Sequence, residues 1–322
     1  METKERLRAF KPEKVFGKWY GIVLLVFFAV VFWGFFKILT PNNFGDPDRL
    51  YSYFQSSIQY AVGACGFYFI VVMGLFDFSI GANVVLSSIV GVLLSKHFGY
   101  AGLLIGSLAC GTLIGLMNGF LYTRLKIPSM IVTVGLMLIL ESVASFVAGG
   151  VKQTLDKSLL GFAQAPGNII LAFVAFLLVA FILKFTRIGT YCNAIGSNEF
   201  VASNMGIDVN KYKLLGFVLL HFFVGIMAIL TVSYGGSMTA TTNMQTLGLN
   251  FTPLMGCFFG LAFRKYTNPV IAMVVGEFII KIIFSGFVAL GAPTTIQNVV
   301  TGAALLIIVA LTTRTAKGAV VK

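Results

Sequence analysis

Two acidic side chains, Glu141 and Glu277, lie deep inside apolar stretches of the chain, and Lys281 follows Glu277 by four positions. An isolated charge in hydrocarbon is costly, so such residues pair, face water or line a pathway for protons or solutes. Positions i and i+4 share a helix face, which predicts a structural ion pair between Glu277 and Lys281. Glu141 has no partner within its own stretch. Three readings of it stay open: it faces a watery pathway, pairs across helices, or is neutral. Proton-driven carriers use buried carboxylates, so an ion-coupled secondary transporter of a small polar solute is the alternative function that rests on Glu141. Asp77, followed by Ser79 and a fresh apolar run, reads as an N-cap for the free amides of the next helix, with Gly74 and Gly81 marking a change of direction. His97 falls in a loop and His221 inside an apolar stretch, and each is expected to be a packed or hydrogen-bonded histidine with no metal. The four cysteines, Cys65, Cys110, Cys192 and Cys257, are widely spaced and mostly sit in apolar runs, so they read as small hydrophobes. The chain has no His-Glu-x-x-His, Gly-x-Ser-x-Gly or Cys-x-x-Cys motif, and no Gly-x-x-x-x-Gly-Lys-Ser/Thr phosphate loop. No catalytic residue is expected, and the chain is not expected to bind or hydrolyse ATP itself.

The elements that must position these residues follow from composition. The chain has 322 residues, of which 58% are hydrophobic and only 11% charged, against about 25% charged in soluble domains. One water-soluble core cannot bury that excess, which excludes a cytosolic enzyme and a secreted disulfide scaffold. The predicted class is all-α: a polytopic integral membrane protein of about ten transmembrane helices. The expected spans are 19–36, 53–76, 79–95, 99–122, 128–148, 168–183, 214–232, 249–263, 268–290 and 296–311.

The charges fit that count. With both termini cytoplasmic, seventeen of the 23 basic residues fall on the inside and five on the outside, Lys281 being within a span. The net charge of +12 is therefore a signature of topology, and no nucleic-acid partner is expected. Residues 1–18 read as a basic cytoplasmic segment, 19–312 as the membrane domain and 313–322 as a cytoplasmic tail. Gly111, Gly115 and Gly119, like Gly256 and Gly260, stand four apart and predict close helix packing. An uncharged Thr-, Asn- and Gly-rich stretch from Tyr234 to Asn250 reads as a re-entrant segment or an outer vestibule.

The longest internal loop, 185–212, is amphipathic and punctuated by glycine. Asn198 can cap a helix of about two turns in which Phe200, Val201 and Met205 offer an apolar face, and Gly206 ends it. Such a helix suits a groove on another protein, or lies on lipid.

The segment from Ala194 to Ile207 resembles the coupling loop of ribose-type sugar permeases of bacterial ATP-binding-cassette importers. Two further stretches agree in order and spacing. Gly74-Leu75-Phe76-Asp77-Phe78-Ser79-Ile80-Gly81 is similar to the family's Gly-Asp-Leu-Ser-Val-Gly region, and Gly115-Leu116-Met117-Asn118-Gly119, with 124–135, is similar to the stretch after it. The likeness runs from about Pro41 to Thr312. It departs at Cys257–Lys265, where the family shows a glycine-rich stretch, and at Glu141, where many relatives have arginine.

The resemblance implies a multi-pass permease of the bacterial cytoplasmic (inner) membrane that forms the pathway for a monosaccharide, such as a ribose-like pentose, or for a nucleoside or sugar-like signal. Its implied partners are a second permease, identical or different, ATP-binding cassette subunits that hold the ATP–Mg, and an external solute-binding protein. No cofactor is implied for this chain. Asn198, Glu199, Ala202 and Gly206 would lie in the helix that couples to the ATPase. Asp77, Ser79 and Asn118 would lie in helix breaks and packing faces, with a pathway role as the further option they share with Glu141.

Overall fold

The computed structural model describes residues 20–293 together with Ile296, Val299, Gly302, Ala303 and Leu306. The basic segment 1–18, the tail 313–322 and most of the expected span 296–311 lie outside the described residues.

The chain is an all-α, multi-pass membrane protein. In order it forms α1 (Tyr20–Leu39), α2 (Pro47–Val71), α3 (Ile80–Leu125), α4 (Ser129–Ala148), α5 (Gly167–Phe185), α6 (Arg187–Ser197), α7 (Glu199–Asn204), α8 (Val209–Gly235), α9 (Gly248–Phe263) and α10 (Pro269–Ala289). Two short strands, β1 (Gln153–Thr154) and β2 (Ser237–Met238), pair antiparallel between α4 and α9 in sequence. Among the described residues, seven helices are long and apolar enough to cross a membrane.

The helix α3 is two arms, 80–98 and 100–125, which answer to the two separate spans expected there. Gly99, at φ 57° and ψ −136°, reverses the chain where a side chain would be strained. The arms fold back on each other: the Ser107 hydroxyl donates to the Ser87 carbonyl at 3.0 Å, and Gly102 abuts the Leu94 carbonyl with no room for a Cβ.

The helices α2 and α8 form the centre. Every residue from Ser56 to Val71 of α2 is buried except Tyr60, which is half-buried, and Phe69 stacks on Phe223 with centroids 6.3 Å apart. Small residues bring the neighbours in. Gly111 and Gly115 lie directly against the α8 backbone at His221, Phe217 and Gly225, and Gly119 against Leu214. Without a hydrophobic drive between helices in lipid, such backbone-to-backbone contact supplies the packing. The outer helices expose apolar side chains such as Ile38, Phe146, Phe173 and Phe181, as expected of a lipid-facing surface.

Candidate functional site

After α2 the chain leaves helical geometry for eight residues. Gly74 takes φ +78°, and the helix restarts at Ile80. Irregular backbone at membrane depth has no water to bond to, so its polar groups must find protein partners. They do so through side chains from two other helices. The Phe76 amide donates to the Ser129 hydroxyl at 3.1 Å and the Phe78 amide to the Thr133 hydroxyl at 3.0 Å, both from α4. From α9, Asn250 accepts from the Gly81 amide and donates to the Phe78 carbonyl, each at 2.6 Å.

Asp77 stands at the centre of this break, fully enclosed. Its Oδ1 accepts from the Ser79 amide at 2.7 Å and the Ser79 hydroxyl at 2.6 Å. The N-cap expected of Asp77 is therefore displaced: Ser79 occupies the cap position, and Asp77 holds Ser79. Its Oδ2 meets Asn118 Nδ2 at 3.0 Å and His221 Nε2 at 2.8 Å. Asn118 Nδ2 also reaches the Ser79 hydroxyl at 2.6 Å. On the other side of the imidazole, Asn83 Nδ2 lies 2.5 Å from Nδ1, and Asn83 Oδ1 accepts from the Ser87 hydroxyl at 2.5 Å. A neutral histidine carrying its proton on Nε2 satisfies both contacts at once.

Asp77, Ser79 and Asn118 thus come together. They are joined by His221, which is hydrogen-bonded as expected, and by Asn83 and Ser87, which sequence reasoning missed. The signal for the last two is their spacing, four apart on one face of an apolar arm and in register with the break.

Glu141 lies elsewhere. It is buried in α4 and reaches across to the Thr- and Asn-rich stretch, where Asn243 and Met244 both take left-handed conformations with φ 62°. Its Oε2 accepts from the Met244 amide at 2.9 Å, and its Oε1 from the Thr246 amide at 3.0 Å and the Thr246 hydroxyl at 2.6 Å. Three donors from one turn hold the carboxylate, and among the described residues no other ionisable side chain is bonded to it.

The expected ion pair between Glu277 and Lys281 is not made. No Lys281 nitrogen comes within 4.0 Å of the carboxylate, and among the described residues no side chain bonds to either carboxylate oxygen. The spacing does set both on one side of α10, but Gly256 of α9 leaves a hollow that draws Glu277 toward α9 and away from Lys281.

The loop 185–212 contains two helices where sequence reasoning placed one. Asn198 caps α7, its Oδ1 accepting from the Val201 amide at 3.1 Å. The turn closes through Ile207 N to Ala202 O at 3.1 Å, with Gly206 at φ +83°. Ala202 is buried against the main core, while Phe200 and Met205 are each 75% exposed. Glu199 pairs with Lys213 of α8 at 2.8 Å, tying the base of α7 to the central helix. At the end of α6, Gly196 lies directly on the Val72 carbonyl and Met73 backbone. The helix that precedes α7 therefore rests on the first residues of the break that holds Asp77.

The family model described as "Branched-chain amino acid transport system / permease component" matches residues 50–309. The ribose import permease protein of Escherichia coli (strain K12) is 26% identical over 305 residues, covering 89% of this chain and 91% of that protein. The galactose/methyl galactoside import permease protein of the same organism is 27% identical over 322 aligned residues, covering 90% and 92%. The L-arabinose ABC transporter permease protein of Azospirillum brasilense is 26% identical over 303 residues, covering 89% and 85%. No solved structure matches the chain significantly. With the family model spanning most of its length, the chain belongs to the family of branched-chain amino acid transport system / permease components.

Proposed function

We propose that this chain is the permease subunit of an ATP-binding-cassette importer that carries a monosaccharide, a ribose-like pentose first among the candidates, across the bacterial inner membrane. The observation that carries the reading is the near full-length similarity to permeases named for ribose, galactose and L-arabinose. A nucleoside or sugar-like signal remains the alternative solute, a relative named for autoinducer 2 import being 26% identical over 268 residues. In this reading the chain has ten spans, the two arms of α3 counting separately and the tenth formed by 296–311, with both termini cytoplasmic. It pairs with a second permease, with ATP-binding subunits that hold the ATP–Mg and hydrolyse it, and with an external solute-binding protein.

The mechanism follows from the contacts. The exposed face of α7, made of Phe200, Val201 and Met205, docks in a groove of the ATPase. Closure of the ATPase pushes on α7; the Glu199–Lys213 pair and the Gly196–Val72 contact pass that push to α8 and to the end of α2. Both lead to the Asp77, Asn118 and His221 cluster, which holds the break to α3 and α8. A shift of α7 thereby tilts two arms of the bundle together and switches the opening of the cavity between the permeases. Glu141, on which gradient-driven transport would depend, is occupied by three donors of a single turn, which favours the ATP-driven reading.

The test is uptake of radiolabelled D-ribose, D-galactose and L-arabinose into proteoliposomes. One set holds the chain alone; the other holds it with its ATPase and binding-protein partners and internal ATP. Uptake confined to the complete system with ATP supports the proposal and identifies the solute, and Gly206→Leu, strained at its positive φ, abolishes it without removing the chain from the membrane. Uptake by the chain alone under an ion gradient overturns it.

A further inference from the structure

The unmade pair in α10 opens onto a cavity of about 90 Å³ between α2, α9 and α10, lined by Ser57, Tyr60, Thr252, Glu277, Lys281 and Phe284, with Ile280 beside them. A water molecule needs roughly 10–15 Å³ of such space, so there is room for several waters or for one edge of a small organic molecule. Glu277 is 1% exposed and lines this space; beside it lies the backbone of Gly256, and among the described residues no side chain bonds to either carboxylate oxygen. Buried polar groups are nearly always satisfied, so a carboxylate at this depth with no side-chain partner, facing a cavity, points to an occupant.

The lining states what that occupant is like. One carboxylate and one ammonium leave the site formally neutral. A cation held by Glu277 meets Lys281, and an anion held by Lys281 meets Glu277, so an ion of either sign finds a like charge across the cavity. A neutral group that donates to one and accepts from the other suits both. Hydroxyls of Tyr60 and Thr252 add further donors and acceptors, and Ser57, whose own hydrogen is given to the Phe54 carbonyl at 2.8 Å, can still accept. The rings of Tyr60 and Phe284 and the side chain of Ile280 form the apolar wall, which fits the C–H face of a carbohydrate.

We propose that this cavity binds a neutral polyol through two adjacent hydroxyls, one donating to the Glu277 carboxylate and its neighbour accepting from the Lys281 ammonium. The diol edge completes the interrupted ion pair. Gly256 makes the site possible, because any side chain there would overlap the carboxylate and force it out of its present place. The choice of a polyol rests on the sugar-importer reading, whereas the need for a neutral, hydrogen-bonding occupant rests on the cavity alone.

The experiment uses the full chain in lipid nanodiscs, without ATPase or binding protein, and reads saturation-transfer difference NMR signals of D-ribose, ribitol and glycerol up to about 100 mM, far above the Kd of any millimolar site. Sodium, followed by its own NMR line, and inorganic phosphate, followed by phosphorus NMR, are the ionic probes. The expected result is polyol binding in the wild type and no binding of either ion. Glu277→Gln, which keeps an acceptor but removes its charge, and Lys281→Met, which removes the donor, each weaken polyol binding about tenfold, the scale of a charge-assisted hydrogen bond. Thr252→Val, which keeps the volume and removes a hydroxyl, gives a smaller loss and guards against variants that fold poorly. Absence of polyol signals, a water-filled cavity only, binding of an ion in place of the polyol, or polyol binding untouched by all three substitutions overturns the proposal. Loss of ATP-driven uptake with polyol binding intact would instead count against the transport reading alone.

Discussion

Replacing Asp77 with asparagine tests whether the buried cluster holds the break. Its Oδ1 serves the amide and hydroxyl of Ser79, and an asparagine carbonyl placed there keeps both bonds. The new amide nitrogen then takes the place of Oδ2, where it faces two donors, Asn118 Nδ2 at 3.0 Å and His221 Nε2 at 2.8 Å. Hydrogen bonds to a charged group contribute about 1.5–3 kcal/mol each, so losing both costs about 3–6 kcal/mol before relaxation. The imidazole can move its proton to Nδ1 if the Asn83 amide turns over, which recovers one bond and leaves a net cost of about 3 kcal/mol.

At roughly 2–4 °C per kcal/mol, the chain in detergent should lose its folded size-exclusion peak about 6–12 °C lower than the wild type. A double-mutant cycle isolates the contact. Asp77→Asn and His221→Asn should couple by about 1.5–3 kcal/mol, whereas independent sites add to within about 0.5 kcal/mol. Additive effects, or a variant as heat-resistant as the wild type, would show that the cluster does not hold the break.

Glu141→Ala strips the partners from two amides and a hydroxyl of one turn, and hydrogen exchange at Met244 and Thr246 is expected to quicken by at least about tenfold while the rest of α4 is unchanged. Unaltered exchange there would mean the turn stands without the carboxylate. Gly256→Ala is expected to destabilise the α9–α10 contact by about 1–3 kcal/mol in thermal unfolding, and the same substitution in a Glu277→Ala background should cost almost nothing, since the overlapping group is gone. In the loop after α1, the Lys37 ammonium donates to Asp46 at 2.8 Å and holds its carboxyl below the ordinary carboxylate range. A depressed carboxyl pKa stabilises above the unfolded-state value and loses that effect as pH falls through the folded-state value. Proteolysis at residues 40–46 should therefore accelerate only in acid below the usual carboxylate range, and Lys37→Met should abolish that dependence.

What could be read from the chain depended on how far apart the interacting residues are. The cap at Asn198 and the stop at Gly206 involve neighbours three to five positions apart, so residue types alone placed α7. The same local logic overreached at Glu277 and Lys281: spacing places two side chains on one helix side, but whether they touch depends on the hollow left by a glycine on another helix. Pro47 at the start of α2 and the break after Val71 moved that span upstream of its expected 53–76, because hydropathy registers a continuous apolar run across a non-helical stretch. The partner of Glu141 lies a hundred residues away in a stretch without charge, and no periodicity announces a backbone amide as a ligand. For His221, sequence favoured a packed or hydrogen-bonded role; that its acceptor is Asp77 emerged only once the arms of α3 were seen folded against α8.

The satisfied break also bears on how the protein is made. Asn250, which closes the backbone at Phe78 and Gly81, is synthesised about 170 residues after them, and His221 about 144 after Asp77. Until those later helices emerge, the break carries a carboxylate lacking its His221 partner, a bare Phe78 carbonyl and a bare Gly81 amide, which lipid cannot accommodate. The early helices must therefore remain beside the insertion machinery, or in contact with water, while α8 and α9 are translated. Release into the bilayer then occurs as a cooperative late step, and truncations before Asn250 should leave residues 74–81 open to cleavage by quality-control proteases even though every preceding helix has been made.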